Sequence, residues 1–130
     1  MDSYDSKIRE CLRTSAGKTS PEQMYCGGTI FVDHASGLIH VEHQTFLSSV
    51  ETLWSKQLFE QMAYSHGVRV NNYYSDNGIF TSKEFSKHLA QDDQSITFSG
   101  VGAHHQNAVA ERNLKTVIYQ ARIMLLHAAL

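Results

Sequence analysis

The spacing of apolar residues changes along the chain, and each change marks a predicted element. Residues 29–33 and 38–43 are short runs rich in β-branched and aromatic residues, and turn formers at 35–37 separate them. This pattern predicts a β-hairpin. From Ser49 the apolar residues recur every three or four positions, as on one face of a helix. The helix should end at His66-Gly67, because glycine readily adopts the left-handed conformation that closes many helices.

The second half of the chain alternates strands with helices. Residues 68–74 and 95–98 have the composition of strands. Thr81 and Glu84 stand three positions apart as in a capping box, which predicts a short helix from there to residue 89. Antiparallel strands followed by this alternation predict an α/β fold, with helices packed on a mixed sheet. A last helix should run from about residue 107 to 127, and its apolar residues form one stripe: Leu114, Val117, Ile118, Ala121, Met124 and Leu125.

The beginning of the chain differs in composition from the rest. It is polar, contains the only proline, Pro21, and continues to the pair Gly27-Gly28. Residues 5–28 are therefore predicted to form a long loop. The 130 residues are the length of one compact domain, so a single domain covering residues 1–130 is expected.

Composition and charge exclude several classes of protein. The chain is 42% hydrophobic and 18% charged, as expected of a globular domain with a core. Its apolar runs are far shorter than the roughly 20 residues that span a bilayer, and no secretory leader is visible, so an intracellular protein is expected. Cys11 and Cys26 are too few for a disulfide framework and lack zinc-site partners, which favours free thiols. The net charge of −2 argues mildly against nucleic-acid binding, which would then need local positive charge, metal ions or another domain.

Two carboxylates lie where chemistry is often found, although each has an ordinary explanation. Asp76 follows a predicted strand, and ligands gather at strand ends in α/β folds. It also begins an Asp-Asn-Gly sequence, and these residues are simply turn formers. Glu111 lies on the flank of the last helix's apolar stripe together with Lys115 and Arg122. Taken alone, Glu111 and Lys115 would be a surface ion pair.

Two longer segments carry a more specific pattern. Residues 74–85 (YSDNGIFTSKEF) and 102–112 (GAHHQNAVAER) resemble the integrase core of copia-type LTR retrotransposons, and the hairpin segment 31–37 (FVDHASG) is similar to that family's second strand and turn. The resemblance extends over nearly the whole chain. The Asp-Asn-Gly turn is a weak signal by itself, whereas the H-x-Q-N-x-V-A-E-R segment is strong. The two together, at this separation, are very specific.

The resemblance implies a ribonuclease-H-like α/β fold, with a mixed five-stranded sheet flanked by helices. It also implies a DDE triad of carboxylates. The family's second Asp corresponds to Asp76 and its Glu to Glu111, with one residue fewer between them than in retroviral cores. The first Asp should lie on the first strand, which Asp2 matches. Asp33, inside the hairpin, is the less favoured alternative.

The chain departs from the family pattern in three respects. Ala108 stands where the family has glycine, so the loop before Glu111 should be less flexible, because alanine rarely adopts left-handed conformations. Asp2 lies almost at the start of the chain, and the family's zinc-binding N-terminal domain and C-terminal extension have no counterpart. The expectation is an N-terminally truncated integrase catalytic core.

The resemblance also implies a chemistry. Asp2 would bridge two Mg²⁺ (or Mn²⁺) ions, with Asp76 on one and Glu111 on the other; such a pair of ions assists both oxygens of a phosphodiester transfer. Without metal the three carboxylates should repel one another, so at least one should have a raised pKa. The implied enzyme is a polynucleotidyl transferase of DDE type that processes DNA 3′ ends and transfers strands. Its expected partners are element and target DNA and further copies of itself, in the nucleus or cytoplasm. The residues expected to contact DNA are Gln106, Asn107 and Lys115.

Two alternatives stay open on the sequence. One is a related ribonuclease-H-like nuclease or transposase, which the H-x-Q-N-x-V-A-E-R segment disfavours. The other is a catalytically inactive integrase remnant that acts at most in self-association, which the acidic net charge favours. Metal binding would separate the inactive remnant from the enzyme.

Overall fold

The computed structural model describes residues 1–10, 25–76, 78–99 and 108–129. Within these ranges strands and helices follow one another in the predicted order, and that prediction is confirmed. The strands are β1 (Asp2–Glu10), β2 (Tyr25–Val32), β3 (Ile39–Gln44), β4 (Asn72–Ser75) and β5 (Ser95–Phe98). The helices are α1 (Ser49–Ser65), α2 (Lys83–Gln91) and α3 (Ala108–Ala129), with a short 3₁₀ turn, Ile79–Thr81, before α2.

The loop predicted at residues 5–28 is wrong at both of its ends. Residues 5–10 belong to β1 and residues 25–28 to β2, and the two strands run antiparallel with Asp5 opposite Gly27. A Cβ atom on Gly28 would lie 2.1 Å from the backbone oxygen of Glu42 in β3. The glycine pair therefore permits a close approach of strand backbones and is no turn signal. Residues 11–24 of the predicted loop lie outside the described ranges.

The described strands form two sheets, and not the single five-stranded sheet that was predicted. Strands β1, β2 and β3 make an antiparallel sheet in that order, and β4 pairs with β5 in parallel. The two sheets meet where β1 begins, and there the Met1 nitrogen donates a hydrogen bond to the Tyr74 carbonyl oxygen at 2.7 Å. Because β1 contacts β4 at this end, the described strands form two separate hydrogen-bonded sheets and not one. We call this contact the sheet junction.

The core lies between α1 and the sheets. Phe31 of β2 stacks on Phe59 of α1, with their ring centroids 4.6 Å apart, and burying each such side chain contributes about 1.5–3 kcal/mol. Ile30 points to the opposite face of β2, where α3 contacts the strand, and it is fully buried. Helices thus cover both faces of β2. The buried apolar cluster joins the two sheets and consists of Met1, Phe31, Phe59, Tyr73, Phe80, Phe85 and Leu89.

The ends of α1 follow local sequence signals. The N-cap Ser48 accepts a hydrogen bond from the Glu51 nitrogen, which satisfies one of the free donors of the first turn. The predicted closure at His66-Gly67 is confirmed, because the helix ends at Ser65 and Gly67 has a φ of +78°.

The capping box predicted for α2 is wrong by one residue. The N-cap is Ser82, whose hydroxyl accepts a hydrogen bond from the Phe85 nitrogen. Thr81 instead donates its hydroxyl hydrogen to the Gly78 carbonyl oxygen at 2.6 Å. Glu84 accepts a hydrogen bond from the Ser49 hydroxyl at the start of α1, so its carboxylate links two helices and does not close a box.

The apolar stripe of α3 is buried only near the start of the helix. Ala110 is 1% exposed, but every residue from 118 to 129 is exposed. Met124 and Leu125 are each 70% exposed. The stripe identified from the sequence is therefore not packed against the described part of this chain over most of its length.

Two further expectations concern membranes and thiols. Among the helices of residues 49–129 that are described, none combines the length and the apolar character needed to cross a bilayer. Cys26 is a free cysteine, as predicted, and Cys11 lies outside the described ranges.

Candidate active site

Asp2 is the first residue of β1 and stands at the sheet junction. Its neighbour Met1 is buried in the core, which anchors the start of the strand. The Asp2 side chain is partly buried and accepts a hydrogen bond from the Ser3 nitrogen, 2.9 Å from Oδ1. One of the two carboxyl oxygens is thus already engaged.

Asp76 directly follows β4, at the carboxyl end of a parallel strand pair. The preceding Ser75 is fully buried, and its hydroxyl donates to the Asp76 carbonyl oxygen at 3.1 Å. The Asp76 side chain is partly buried. The end of a parallel strand is where α/β sheets commonly bind ligands, so the position agrees with a site.

Glu111 lies in the first turn of α3 and is partly buried beside Ala110. A carboxylate there is favoured by the positive end of the helix dipole. Ala108 is the first residue of α3, so it begins a helix, where alanine is favourable. The reduced loop flexibility predicted from Ala108 therefore does not apply at that residue. Residues 100–107, with Gln106 and Asn107, lie outside the described ranges.

The charges of Asp76 and Glu111 act on Asp2. The pKa of Asp2 is raised to about 6. Burial is the largest cause, the negative charge of Asp76 is the next, and the charge of Glu111 adds to the rise. The Ser3 backbone N–H and the positive chain terminus act in the opposite direction. The raised carboxyl pKa predicted for this group is confirmed at Asp2, although burial is the larger cause. Asp2 is therefore held near two other negative charges on different elements.

The donor chemistry of this group fits a hard divalent cation, because Mg²⁺ and Mn²⁺ prefer carboxylate oxygens. Within residues 1–10, 25–76, 78–99 and 108–129, however, no group of three or more His, Cys, Asp or Glu side chains is arranged to hold an ion.

Asp33, the alternative first carboxylate, lies in the β2–β3 turn. Its carboxylate accepts hydrogen bonds from the Ala35 and Ser36 nitrogens and from the Ser36 hydroxyl. These bonds, with that of the Ser36 side chain the strongest, lower the pKa of Asp33. The residue stabilises the turn that the sequence predicted at residues 35–37.

Comparison with solved structures gives strong similarity to two crystal forms of one protein. These are the HTLV-2 integrase catalytic core domain in complex with magnesium, in a trimeric and in a dimeric form. Each matches with a TM-score of 0.63 and 21% sequence identity, over 79% of this chain. The chain has the fold of a retroviral integrase catalytic core. It spans 62% of the length of either HTLV-2 chain, and no protein-family model or curated protein matches it.

On the integrase-core fold, Asp2, Asp76 and Glu111 come from the first strand, the end of the fourth strand and the start of the last helix. Lys115, one turn beyond Glu111, is exposed.

One charged cluster was missed by the sequence analysis. Lys56 of α1 is fully buried, and its Nζ lies 2.9 Å from a Glu60 oxygen, 3.4 Å from an Asp92 oxygen and 3.2 Å from His88 Nδ1. Tyr73 is hydrogen-bonded to the same Glu60 carboxylate. Burial is the main cause that raises the pKa of the Tyr73 hydroxyl, and this hydrogen bond is the next. Only the four-residue spacing of Lys56 and Glu60 could have suggested the pair from sequence. The cluster ties α1 to α2 in the integrase-core fold.

Proposed function

We propose that this chain is the catalytic core of a copia-type retrotransposon integrase, a DDE polynucleotidyl transferase that processes DNA 3′ ends and joins them to target DNA. The observation that carries the proposal is the effect of Asp76 and Glu111 on the pKa of Asp2, on a fold shared with integrase cores. The motifs around Asp76 and Glu111 support the same assignment.

Asp2, Asp76 and Glu111 are the proposed metal ligands. In the proposed arrangement, Asp2 belongs to both of two Mg²⁺ (or Mn²⁺) sites, and Asp76 and Glu111 belong to one each. Each ion then takes two of the carboxylates, so no single ion requires all three. When bound, such ions make an attacking oxygen more nucleophilic and stabilise the leaving oxygen.

The chain's own residues would position the DNA. Three carboxylates in one place repel a phosphodiester, so DNA can approach them only when their charge is neutralised. Lys115 is exposed on the same helix as Glu111 and is proposed to contact a backbone phosphate. Gln106 and Asn107 precede α3 and are proposed to contact the DNA end.

The HTLV-2 core forms dimers and trimers, and on that basis we propose that this chain also works as a homo-oligomer. Its other proposed partners are the element ends and the target DNA. Such a protein would act in the nucleus or the cytoplasm.

The test is Mg²⁺- or Mn²⁺-dependent nicking and rejoining of a branched DNA that mimics the integration product. Asp76→Asn and Glu111→Gln should each reduce the rate more than about 100-fold, since even changes around metal ligands reduce activity 10–100-fold. Asp93→Asn is the matched control, because Asp93 is an exposed carboxylate on the α2–β5 connection and asparagine tolerates its φ of +53°. Equal rates for all variants would refute the proposal.

A second candidate is an integrase-like domain without catalytic activity. It is favoured by the net charge of −2, which supplies no excess of positive charge for a DNA backbone. It predicts no metal-dependent rise in melting temperature for the wild-type chain and no nicking. The catalytic proposal predicts that Mg²⁺ or Mn²⁺ raises the melting temperature of the wild type and leaves that of Asp2→Asn nearly unchanged.

A further inference from the structure

Three residues form a row across the antiparallel sheet, on the face that carries Asp2. Tyr4 of β1 stands opposite Gly28 of β2, and Gly28 stands opposite His43 of β3. Asp2 stands opposite Ile30, two positions along the same strands. Residues directly opposite one another, and residues two apart on a strand, share a face of the sheet. Tyr4 and His43 therefore lie on the Asp2 face, with Tyr4 about 7 Å along β1 from Asp2.

The absence of a side chain at Gly28 makes the row possible. A Cβ atom there would lie 2.7 Å from the Tyr4 hydroxyl oxygen and 2.9 Å from Tyr4 Cε1, so the Tyr4 ring occupies the space that a side chain would take. From this position the Tyr4 hydroxyl reaches across β2 and donates a hydrogen bond to His43 Nδ1. The Tyr25 ring also contacts the imidazole, with the ring centroids 5.2 Å apart. Two tyrosines thus hold an imidazole that is itself exposed.

The hydrogen bond from Tyr4 determines which imidazole nitrogen carries a hydrogen. A phenol is a stronger acid than the N–H of a neutral imidazole, so the hydroxyl donates and Nδ1 accepts. In the neutral ring the hydrogen is then on Nε2, and in the charged ring both nitrogens carry one. Among the described residues, His43 Nε2 has no hydrogen-bond partner. The exposed imidazole therefore offers an N–H donor in either state.

The charges of this face suit an anionic partner. In residues 2–5, 25–32 and 39–44 the carboxylates are Asp2, Asp5 and Glu42. Asp5 and Glu42 stand at the alternate positions of their strands and lie on the opposite face. Within these ranges Asp2 is thus the only carboxylate on the Tyr4 and His43 face, and it is a proposed metal ligand.

The distance between His43 and Asp2 matches a short stretch of DNA. With strands about 4.8 Å apart, two strands and two residues separate the backbones of the two residues by about 12 Å. Successive phosphates of one DNA strand are about 3.4 Å apart along the helix axis. A DNA whose reacting phosphate lies at the carboxylates can therefore place another phosphate, a few nucleotides away, beside His43.

We propose that His43 contacts the DNA backbone, with Nε2 donating a hydrogen bond to a phosphate oxygen a few nucleotides from the reacting phosphate. Tyr4 is the positioning residue that orients the imidazole. The inference rests on the proposed function, because it adds a substrate contact to the same site. Contacts to phosphates fix the register of the DNA and carry no sequence information, so the contact should strengthen the binding of different DNA sequences alike.

The test measures the Kd of the full chain for the branched integration-product DNA by fluorescence anisotropy, at one salt concentration and with Ca²⁺ in place of Mg²⁺ to avoid cutting. His43→Ala should weaken binding about 10-fold, as expected for the loss of one hydrogen bond to a charged group. His43→Gln should recover part of this loss, because its amide nitrogen can take the place of Nε2. Tyr4→Phe should weaken binding about threefold, since the imidazole is no longer oriented. The matched control is His34→Ala, at an exposed histidine of the β2–β3 turn, and it should bind like the wild type.

A second measurement separates a phosphate contact from a structural role. Single phosphates near the reacting position are replaced one at a time by methylphosphonate, which removes the charge and keeps the nucleotide. At one position the replacement should weaken binding by the wild type and hardly affect binding by His43→Ala, because the contact is already lost there. A folding defect would instead lower affinity for all of these DNAs alike, so only a direct contact gives this non-additivity.

Equal Kd values for the wild type and His43→Ala, or equal effects of every methylphosphonate on both proteins, would overturn the inference. If His43→Ala does not keep the melting temperature of the wild type, the same comparison is made with Tyr4→Phe. A chain that nicks DNA without any effect of His43 would refute the inference and leave the catalytic proposal intact. His43-dependent binding by a chain that cuts no DNA would support the inference and refute the catalytic proposal, and a wild type that binds no DNA would overturn both.

Discussion

Replacing Asp2 with asparagine should stabilise the metal-free protein at neutral pH. The carboxyl pKa of Asp2 is raised from 3.8 to about 6 in the folded state, so folding disfavours the ionised form. A shift of this size corresponds to about 3 kcal/mol. Because Asp2 is only partly buried, solvent screening reduces this to on the order of 1–2 kcal/mol. Asparagine keeps an oxygen for the Ser3 nitrogen and removes the charge.

The effect has a defined pH dependence. Near pH 3 and below, Asp2 is mostly protonated in the folded and unfolded states alike, and its contribution to folding is fully present. As the pH rises from about 3 through 6, the unfolded chain ionises more readily than the folded one, so stability is lost. Asp2→Asn should therefore gain about 1–2 kcal/mol over the wild type at pH 8 and almost nothing near pH 3.

The assay is urea unfolding followed by circular dichroism from about pH 3 to 8 with a chelator present. Asp33→Asn is the matched control, because hydrogen bonds from Ser36 and Ala35 lower the pKa of Asp33. Its substitution should lower stability at neutral pH, and that loss should shrink as the pH falls toward the lowered pKa of Asp33. An Asp2→Asn protein that is less stable than the wild type at pH 8, or whose gain does not change with pH, would refute the electrostatic account of the site.

Three further predictions concern the scaffold, each measured by urea unfolding. Lys56→Met should destabilise the fold by about 1.5–3 kcal/mol, because it removes the charged contacts that the fully buried Lys56 makes to the partly exposed Glu60 and the exposed Asp92; a loss below about 0.5 kcal/mol would contradict this. Ser82→Ala should lower the free energy of unfolding by about 1 kcal/mol and Thr81→Ala by clearly less, because Ser82 is the N-cap of α2. A larger loss for Thr81→Ala would show instead that Thr81 caps the helix, as the sequence predicted. Gly28→Ala should lower the free energy of unfolding by about 3 kcal/mol or more, because the new Cβ atom would clash with a neighbouring strand backbone. Gly37→Ala should lower it by only about 1–2 kcal/mol, because the space around Gly37 is open and only its φ of +74° is unfavourable for alanine.

The parts of the fold that were predicted correctly depend on local signals. The period of apolar residues correctly predicted the extent of α1, and Gly67 its end. The period did not predict the buried face, because Val50 and Trp54 are exposed while Lys56 and Phe59 are buried. The hairpin β2–β3 likewise follows from two β-rich runs and the turn between them. These signals are readable because the residues that interact are close along the chain.

The parts that were predicted wrongly depend on distant residues. Gly27 and Gly28 resemble a turn in sequence, yet they lie in a strand because the backbones of β1 and β3 approach them from either side. The apolar stripe of α3 has the same periodicity whether it faces a core or solvent, so sequence alone could not predict that residues 118–129 are exposed. The division into two sheets depends on where β1 meets β4.

The candidate site was predicted from motifs more than from physical pattern. Asp76 and Glu111 stand in sequence segments that resemble a known family, and their positions at a strand end and a helix start agree with what the pattern predicted. The influence of their charges on Asp2 is a tertiary property that no spacing along the chain contains. That the three carboxylates act as one catalytic group stays a prediction.

The sheet junction has a consequence for how the protein opens. Asp2 begins a strand of one sheet and Asp76 follows a strand of the other, so opening of the buried cluster that joins the sheets would separate the two carboxylates while both strand ladders keep their hydrogen bonds. In moderate denaturant the amide protons of β2 would then resist exchange with solvent after the two carboxylates had moved apart. Any ion or DNA end that binds both carboxylates would hold the two sheets together. Its binding would raise the protein's stability by mass action, through the closed form alone.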